Sequence, residues 1–213
     1  MAELEEIGAR FRAHLDRVRS LVGLYEETTT SDRGRKPVPV ADLLRAAVVL
    51  LHASLEDLLR SLAAWKLPSA PTTSLEKILI VVSEDKIKEK ITLDELAAHR
   101  GQTVAAVVDR SIAKHLENST YNNVKDVVGL LGRIEVDCKM DDGLKSKLAA
   151  MMNRRHWIAH RVDRNPRSGA GHQAARAISR SIVVTWIGSV EVLGTAILDE
   201  IQSTRPTTPE DDS

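Results

Sequence analysis

The seven residues RRHWIAH, at positions 154–160, combine two arginines and two histidines in a segment whose apolar spacing predicts a helix. Histidine takes up and releases protons near neutral pH, because its ordinary pKa is about 6.5. The guanidinium of arginine donates parallel hydrogen bonds that match phosphate or carboxylate oxygens. The segment therefore carries groups suited to proton transfer and to anion binding.

Arg155 is in an unexpected position on this helix. At about 100° per residue, a helix over residues 143–160 aligns one apolar stripe. The stripe consists of Leu144, Leu148, Met151, Ile158 and Ala159. Arg155 falls in the middle of it and Arg154 on its flank. A guanidinium cannot shed its proton in a protein, so a buried arginine needs an anionic partner or a polar cavity.

The segment LHASLEDLL offers two carboxylates for that partnership, Glu56 and Asp57. We expect Glu56 to orient Arg155 or His160. A second interpretation is an arginine–carboxylate pair whose role is only to fix the register of two helices.

His156 and His160 have the spacing of two metal ligands on one helix face. No third ligand accompanies them, so we predict neither a metal nor a cofactor. His160 also suits a purely structural position at a helix end, where its cation would interact favourably with the helix dipole.

Basic residues are concentrated around this helix although the formal net charge of the chain is zero. Between Leu144 and Val190, Asp163 is the only acidic residue. The basic residues are Lys145, Lys147, Arg154, Arg155, Arg161, Arg164, Arg167, Arg176 and Arg180. Such a local field is typical of a surface that binds a phosphate-bearing partner. Pairing with the acidic N-terminal segment AELEE is the alternative.

Apolar periodicity predicts an all-α chain. We expect long helices at 2–27, 40–66, 143–160 and 172–202, packed as an up-and-down bundle. Shorter helices are predicted at 74–83, 93–99, 104–116 and 122–133. The run LIVV in the first of these also suits a strand.

These elements form a single domain over residues 1–202, with a helical insert at about 69–120. Residues 203–213 form a polar, acidic tail that we expect to be disordered. Aromatic residues make up 3% of the chain, which disfavours a base-stacking sheet. The single cysteine, Cys138, excludes an intrachain disulfide. No signal peptide is visible and no apolar run approaches about 18 residues, so a cytoplasmic location is expected.

The stretch NRRHWIAHRVDRN resembles the motif of the HEPN superfamily, an arginine followed by a histidine after four to six residues. The chain is most similar to the RiboL-PSP-HEPN type. The segment LHASLEDLLRSL resembles a helix of that group, one in which an acidic residue occurs. TLDELAAHRGQTVAAVVDRSIAKHLENSTYNNVKDVVGLLG resembles its middle segment. The similarity covers roughly residues 40–165.

This resemblance implies a helical bundle that dimerises with its motif helices facing each other. It also implies a metal-independent endoribonuclease, often a toxin or antiphage effector, with an antitoxin or sensor protein as partner. Arg155 and His160 take the catalytic positions, with Arg154 as the alternative arginine. His156 replaces the asparagine frequent after the motif arginine. Arg161, Arg164 and Arg167 would bind RNA.

Two other functions remain open. The resemblance also allows a protein without catalysis, because some members of that family act as scaffolds that bind RNA or a partner protein. The segment LDELAAHRGQTVAAVVDRSIAKHL has a pattern of short helices around a turn that is also typical of a helix-turn-helix module that binds DNA. The side chains of its last helix that could contact bases are Asp109, Arg110, Ser111 and Lys114.

Overall fold

The computed structural model describes residues 2–29, 38–83, 86–88, 92–164 and 175–204. Arg167 and most of the acidic tail lie outside these residues. In chain order the described elements are α1 (Ala2–Thr29), α2 (Val38–Lys66), α3 (Thr72–Leu75), β1 (Ile80–Ser83), β2 (Lys86–Lys88), α4 (Leu93–Ala97), α5 (Val104–Asn118), α6 (Val124–Arg133), α7 (Asp142–Arg161) and α8 (Arg180–Ser203). A short 3-10 turn, Leu67–Ser69, follows α2.

Four long helices, α1, α2, α7 and α8, form the bundle and bury one common core. α1 and α8 run antiparallel, because Arg19 bonds Glu191 at 2.6 Å while Glu26, further along α1, bonds Arg180 at the start of α8. The apolar stripe predicted for α2 is buried, and its fully buried leucines are Leu44, Leu51, Leu55, Leu58, Leu59 and Leu62. The prediction of an all-α bundle is confirmed.

The insert differs from the helical prediction at 74–83. α3 ends at Leu75, and the following LIVV run forms β1, which pairs antiparallel with β2. The Ser111 hydroxyl on α5 accepts a hydrogen bond from Val81 N at 3.1 Å and tethers the strand. β-branched residues favour this extended backbone, so the helix prediction was wrong here. Thr73 and Glu76 have the spacing of a capping box, but Thr73 lies inside α3, whose N-cap is Pro71.

The remaining short helices occur close to their predicted positions because side-chain caps define their starts. Thr92 and Glu95 form a capping box at the start of α4. Thr103 and Asn123 cap α5 and α6. Gly101 separates α4 from α5 with a φ of 81°, a backbone conformation that glycine adopts without strain.

α8 begins later than the predicted residue 172. Residues 172–174 lie outside the described part of the chain. Ala175 forms an isolated antiparallel bridge with Arg164, and Arg176 N donates to Asp163 O at 2.8 Å. These bonds hold the chain extended until Ser179 caps the helix. The backbone bonds made with the end of α7 therefore override the helical pattern.

By length and composition α8 could cross a membrane, contrary to the expectation that no run is long enough. Its most apolar window has a mean hydropathy of 1.8, and half of that window is buried. The buried side includes Trp186, Val190 and Leu193, packed among the other bundle helices. In this fold α8 is a core helix.

Two glycines of α8 give a matched test of this packing. A Cβ at Gly194 would overlap the Phe11 ring and approach Leu58 to 3.1 Å, whereas a Cβ at Gly188 has no atom within 4 Å. We expect Gly194→Ala to lower the free energy of unfolding by about 1–3 kcal/mol through overpacking. Gly188→Ala should raise it by about 0.5–1 kcal/mol, since alanine is the better helix former. Urea denaturation measures both, and equal effects would contradict the packing described here.

Candidate active site at the end of α7

The helix α7 positions the arginines and histidines of the motif. Asp141 caps its start by accepting a hydrogen bond from Leu144 N at 2.6 Å. Its end is reversed by two consecutive left-handed residues, Val162 and Asp163, with φ values of 49° and 53°. The backbone N–H of each bonds Trp157 O. A β-branched residue rarely adopts this conformation, so other interactions must hold the turn.

The buried carboxylate of Asp163 provides that constraint. Its side chain is fully buried, and Oδ2 accepts from Arg45 Nε at 2.9 Å and from Arg154 Nη2 at 2.7 Å. Arg45 also bonds Asp42 at 2.8 Å. We call Asp42, Arg45, Arg154 and Asp163 the Asp163 cluster. It joins the first half of α2 to both sides of the turn after α7.

The Asp163 cluster also binds the segment before α8. Arg45 and Arg154 both donate to the carbonyl of Arg176, at 2.9 and 3.0 Å, and Arg154 donates to that of Ala177 at 3.0 Å. Burial lowers the pKa of Arg154, and the charge of Asp163 opposes this. Removing one member of such a network leaves a buried charge without its partner, at a cost of about 3–5 kcal/mol.

Arg154 is therefore the arginine in the buried carboxylate pair, whereas the sequence suggested Arg155. Its partner is Asp163, not Glu56 or Asp57. The left-handed turn brings Asp163 back onto the flank of α7, where Arg154 lies. The sequence carried one signal for this pair, since Asp163 is the only acid in the basic segment.

Arg155 lies half-buried without a carboxylate partner among the described residues. Its Nη1 lies 3.4 Å from Asn122 Oδ1, and its buried Nε has no hydrogen-bond partner there. Partial exposure removes the need for a buried counter-ion that full burial would impose. The guanidinium thus retains donors that can bind an anion from solution.

Glu56 acts on the segment next to Arg155, and no described ion pair joins it to Arg155 or His160. Its Oε1 accepts from Tyr121 N at 3.1 Å. His52 Nε2 donates to Tyr121 O at 3.2 Å, and His52 Nδ1 lies 3.9 Å from Glu56 Oε2. Together Glu56 and His52 fix the backbone beside Asn122. Sequence reasoning missed His52, whose signal was a histidine on a leucine stripe four residues before a glutamate.

Asp57 lies on the other side of α2, away from the motif. It pairs with Arg10 at 3.1 Å and lies 3.7 Å from His14, both on α1. Asp57 therefore stabilises contact between two bundle helices.

His156 and His160 are both exposed, with ring centroids 4.8 Å apart. His160 lines a cavity of about 400 Å³ together with Trp157, Arg161, Val162 and Arg164. Arg155 does not line it. Residues five positions apart on a helix project about 140° apart, which explains the separation. Within one chain, the two motif residues therefore face different surroundings.

Trp157 forms the aromatic wall of that cavity and was not singled out by sequence. The guanidinium carbon of Arg161 lies 4.7 Å from the ring centroid, and that of Arg176 lies 5.5 Å from it. Cation–π contacts at these distances hold guanidinium groups in place. They keep positive charge beside His160.

The described residues contain no group of three or more histidine, cysteine or acidic side chains that could hold a metal ion. The histidine pair on α7 accordingly lacks further ligands within that part of the chain.

The helix-turn-helix interpretation fits α4 and α5 poorly. Arg110 donates to His99 Nδ1 at 2.9 Å and to Gln102 Oε1 at 3.1 Å. Ser111 is buried against β1. Two of the four side chains expected to contact bases are thus used within the insert.

A family model described as RiboL-PSP-HEPN matches residues 12–203. The chain belongs to the RiboL-PSP-HEPN family. A search of curated proteins and a search of solved structures each found no match. The matched region contains α2, α7 and α8, and therefore the Asp163 cluster, Arg155 and His160. Membership of this HEPN family favours a ribonuclease or nucleotide-binding function.

The environment of His52 predicts a pH-dependent stability. Burial lowers the pKa of His52; Glu56 opposes this and Arg155 reinforces it. Burial and Arg133 likewise lower the pKa of His115. The unfolded chain therefore binds these protons first as pH falls, and the folded state loses stability below about pH 6.5, the ordinary pKa.

His52→Gln keeps a donor for the Tyr121 carbonyl but does not titrate. One proton contributes a slope of at most about 1.4 kcal/mol per pH unit, so the variant should show a shallower loss of stability. Urea denaturation between about pH 7.5 and about pH 5.5 measures the slope. An unchanged slope in His52→Gln would show that His52 is not the responsible group.

Proposed function

We propose that this protein is a metal-independent endoribonuclease in which His160 moves the proton and Arg155 stabilises the reacting phosphate. The observation that carries the proposal is the half-buried guanidinium of Arg155, which has no described carboxylate partner. It lies on the same helix as the exposed His160. Family membership supports the same class of chemistry.

The reaction uses a nucleophile that RNA itself supplies. His160 removes the proton of a 2′-OH, O2′ attacks the adjacent phosphorus, and the bond from phosphorus to O5′ breaks. The leaving O5′ takes up a proton, which gives a 2′,3′-cyclic phosphate and a 5′-OH. Arg155 donates to the non-bridging oxygens, where negative charge accumulates.

We infer that a homodimer is the active unit. One histidine does not readily supply both the base and the acid in one step, and His160 and Arg155 of one chain project in different directions. A second copy with its α7 facing the first would bring two of each group to one phosphate. Arg161 and Arg164, which line the His160 cavity, would then hold the RNA backbone beside it. Arg167, which lies outside the described residues, is proposed to bind RNA as well.

Arg154 is disfavoured as the catalytic arginine. Its side chain is 12% exposed and already bonds Asp163 and two backbone carbonyls. Its supporting role would be to hold the end of α7 in place. His156, exposed beside His160, would contact the substrate without being essential.

The proposed biological role is that of a toxin or antiphage effector in the cytoplasm, controlled by an antitoxin or sensor protein. Family resemblance supports this role, since restraint by a partner suits a nuclease that degrades cellular RNA. Growth arrest on expression of the wild type, absent with His160→Ala, is the expected cellular result.

A non-catalytic scaffold is the second candidate. The separation of Arg155 from the His160 cavity favours it, because a chain that stays monomeric does not gather the two groups. Such a protein would bind RNA or a partner without cleaving RNA.

Cleavage of total RNA in EDTA separates these functions. We expect the wild type to leave 2′,3′-cyclic phosphate ends and His160→Ala to be slower by about 10²–10⁴-fold, the usual contribution of acid–base catalysis. His156→Ala, which removes the neighbouring exposed histidine, should slow cleavage much less than His160→Ala. Cleavage at the wild-type rate by His160→Ala would exclude the proposed mechanism. RNA binding without cleavage by a confirmed dimer would favour the scaffold.

A further inference from the structure

The insert forms an open cavity of about 560 Å³ that the proposed ribonuclease function does not use. It lies between the α3–β1 segment and helices α4 and α5, and shares no lining residue with the His160 cavity. Most of its wall is aliphatic, including Ile78, Leu96, Val107, Val108 and Ile112. This volume and lining are typical of sites that bind small molecules.

The rim of the cavity is apolar surface that the described part of the chain leaves uncovered. Val104 is 81% exposed, Leu96 is 50% exposed and Ile80 is 38% exposed, and all three line the cavity. Exposed apolar groups clustered around a concave site indicate a ligand that covers them.

A buried hydrogen-bond donor lies in the cavity wall. His99 is 8% exposed, and its Nδ1 lies 2.9 Å from Nη2 of Arg110. Since arginine can only donate, Nδ1 accepts and the proton of the neutral ring is on Nε2. Nε2 is buried and has no partner among the described residues. A buried donor without an acceptor is unfavourable, and a ligand oxygen would satisfy it.

The charges around the cavity indicate which oxygen that would be. Arg100, beside His99, contributes to the lining, and Arg110 lies behind the ring. No aspartate or glutamate occurs among the lining residues that the structure describes. A positive field at one end of an aliphatic cavity suits a carboxylate better than a neutral head group.

We propose that the insert binds a small aliphatic carboxylate. The carboxylate accepts from His99 Nε2 and pairs with Arg100, while the aliphatic chain lies against Val107, Val108 and Ile112. The space is walled by α3, β1, α4 and α5. Walls on several sides and one buried donor suit a compact ligand with a single polar head group. The site is independent of the proposed RNA cleavage.

Calorimetric titration with decanoate below its micelle concentration tests the proposal on the full chain, with decanol as the uncharged probe. We expect saturable binding of decanoate and binding of decanol weaker by about tenfold or more, as for a hydrogen bond to a charged group. His99→Phe, which removes the donor, should weaken decanoate binding by about the same factor. The rate of RNA cleavage should not change with the affinity for decanoate across these variants.

Variants with larger side chains that fill the cavity provide the controls. Val108→Phe should abolish binding, and Val104→Trp at the exposed rim should do so with no risk to the core. Val184 is 41% exposed on α8, outside the cavity. Val184→Phe also enlarges an exposed valine, and it should bind decanoate as tightly as the wild type does. Thermal melting verifies that each variant is folded. No saturable binding by the wild type, equal binding by Val104→Trp and Val184→Phe, or decanol binding as tight as decanoate would overturn the proposal.

Discussion

A single buried carboxylate holds the end of the motif helix to the rest of the bundle. Asp163 is fully buried and accepts hydrogen bonds from two arginines, one on α2 and one on α7. Its position requires Val162 and Asp163 to adopt left-handed backbone conformations, which are costly for residues other than glycine. It also orders the chain before α8, whose carbonyls share the same guanidinium groups. The end of α7, which carries His160 and Arg161, is therefore anchored to α2 by this contact.

The two adjacent arginines of the motif have different roles because they project about 100° apart on the helix. Arg154 faces α2 and the returning chain, where its Nη2 donates to Asp163 and to two backbone carbonyls. Arg155 faces the Tyr121–Asn123 segment, which Glu56 and His52 hold by its backbone. The first arginine stabilises the fold, and the second has no described carboxylate partner, which is why the proposed function assigns it to the phosphate.

Much of the fold could be predicted from the sequence because apolar spacing and caps are local signals. The stripe of α2 and the caps at Thr92 and Asp141 are such cases. The β-branched residues of LIVV allowed a strand but did not decide it, and nothing local marked the late start of α8, because each depends on a distant bond. Val81 is tethered by Ser111, thirty residues away, and Arg176 is held by Asp163.

The candidate site was predictable in its residue types and less so in its partners. Spacing and charge singled out Arg155 and His160, and the same reasoning required a carboxylate for a buried arginine. Which carboxylate serves which arginine depended on the reversal after α7, and no local pattern marks a left-handed valine. The sequence did not indicate a role for His52 or Trp157, because the position of each in its helix is also that of an ordinary core residue.

The free energy of unfolding of Arg154→Gln, measured beside that of Arg155→Gln, tests the division between the two arginines most directly. The account predicts a loss of about 3 kcal/mol or more for Arg154→Gln, because Asp163 would keep only one of its two buried guanidinium partners and the carbonyls of Arg176 and Ala177 would lose a donor. Arg155→Gln should lose about 1 kcal/mol or less, as for a partly exposed side chain outside a buried network. Equal losses, or a larger loss for Arg155→Gln, would contradict the account.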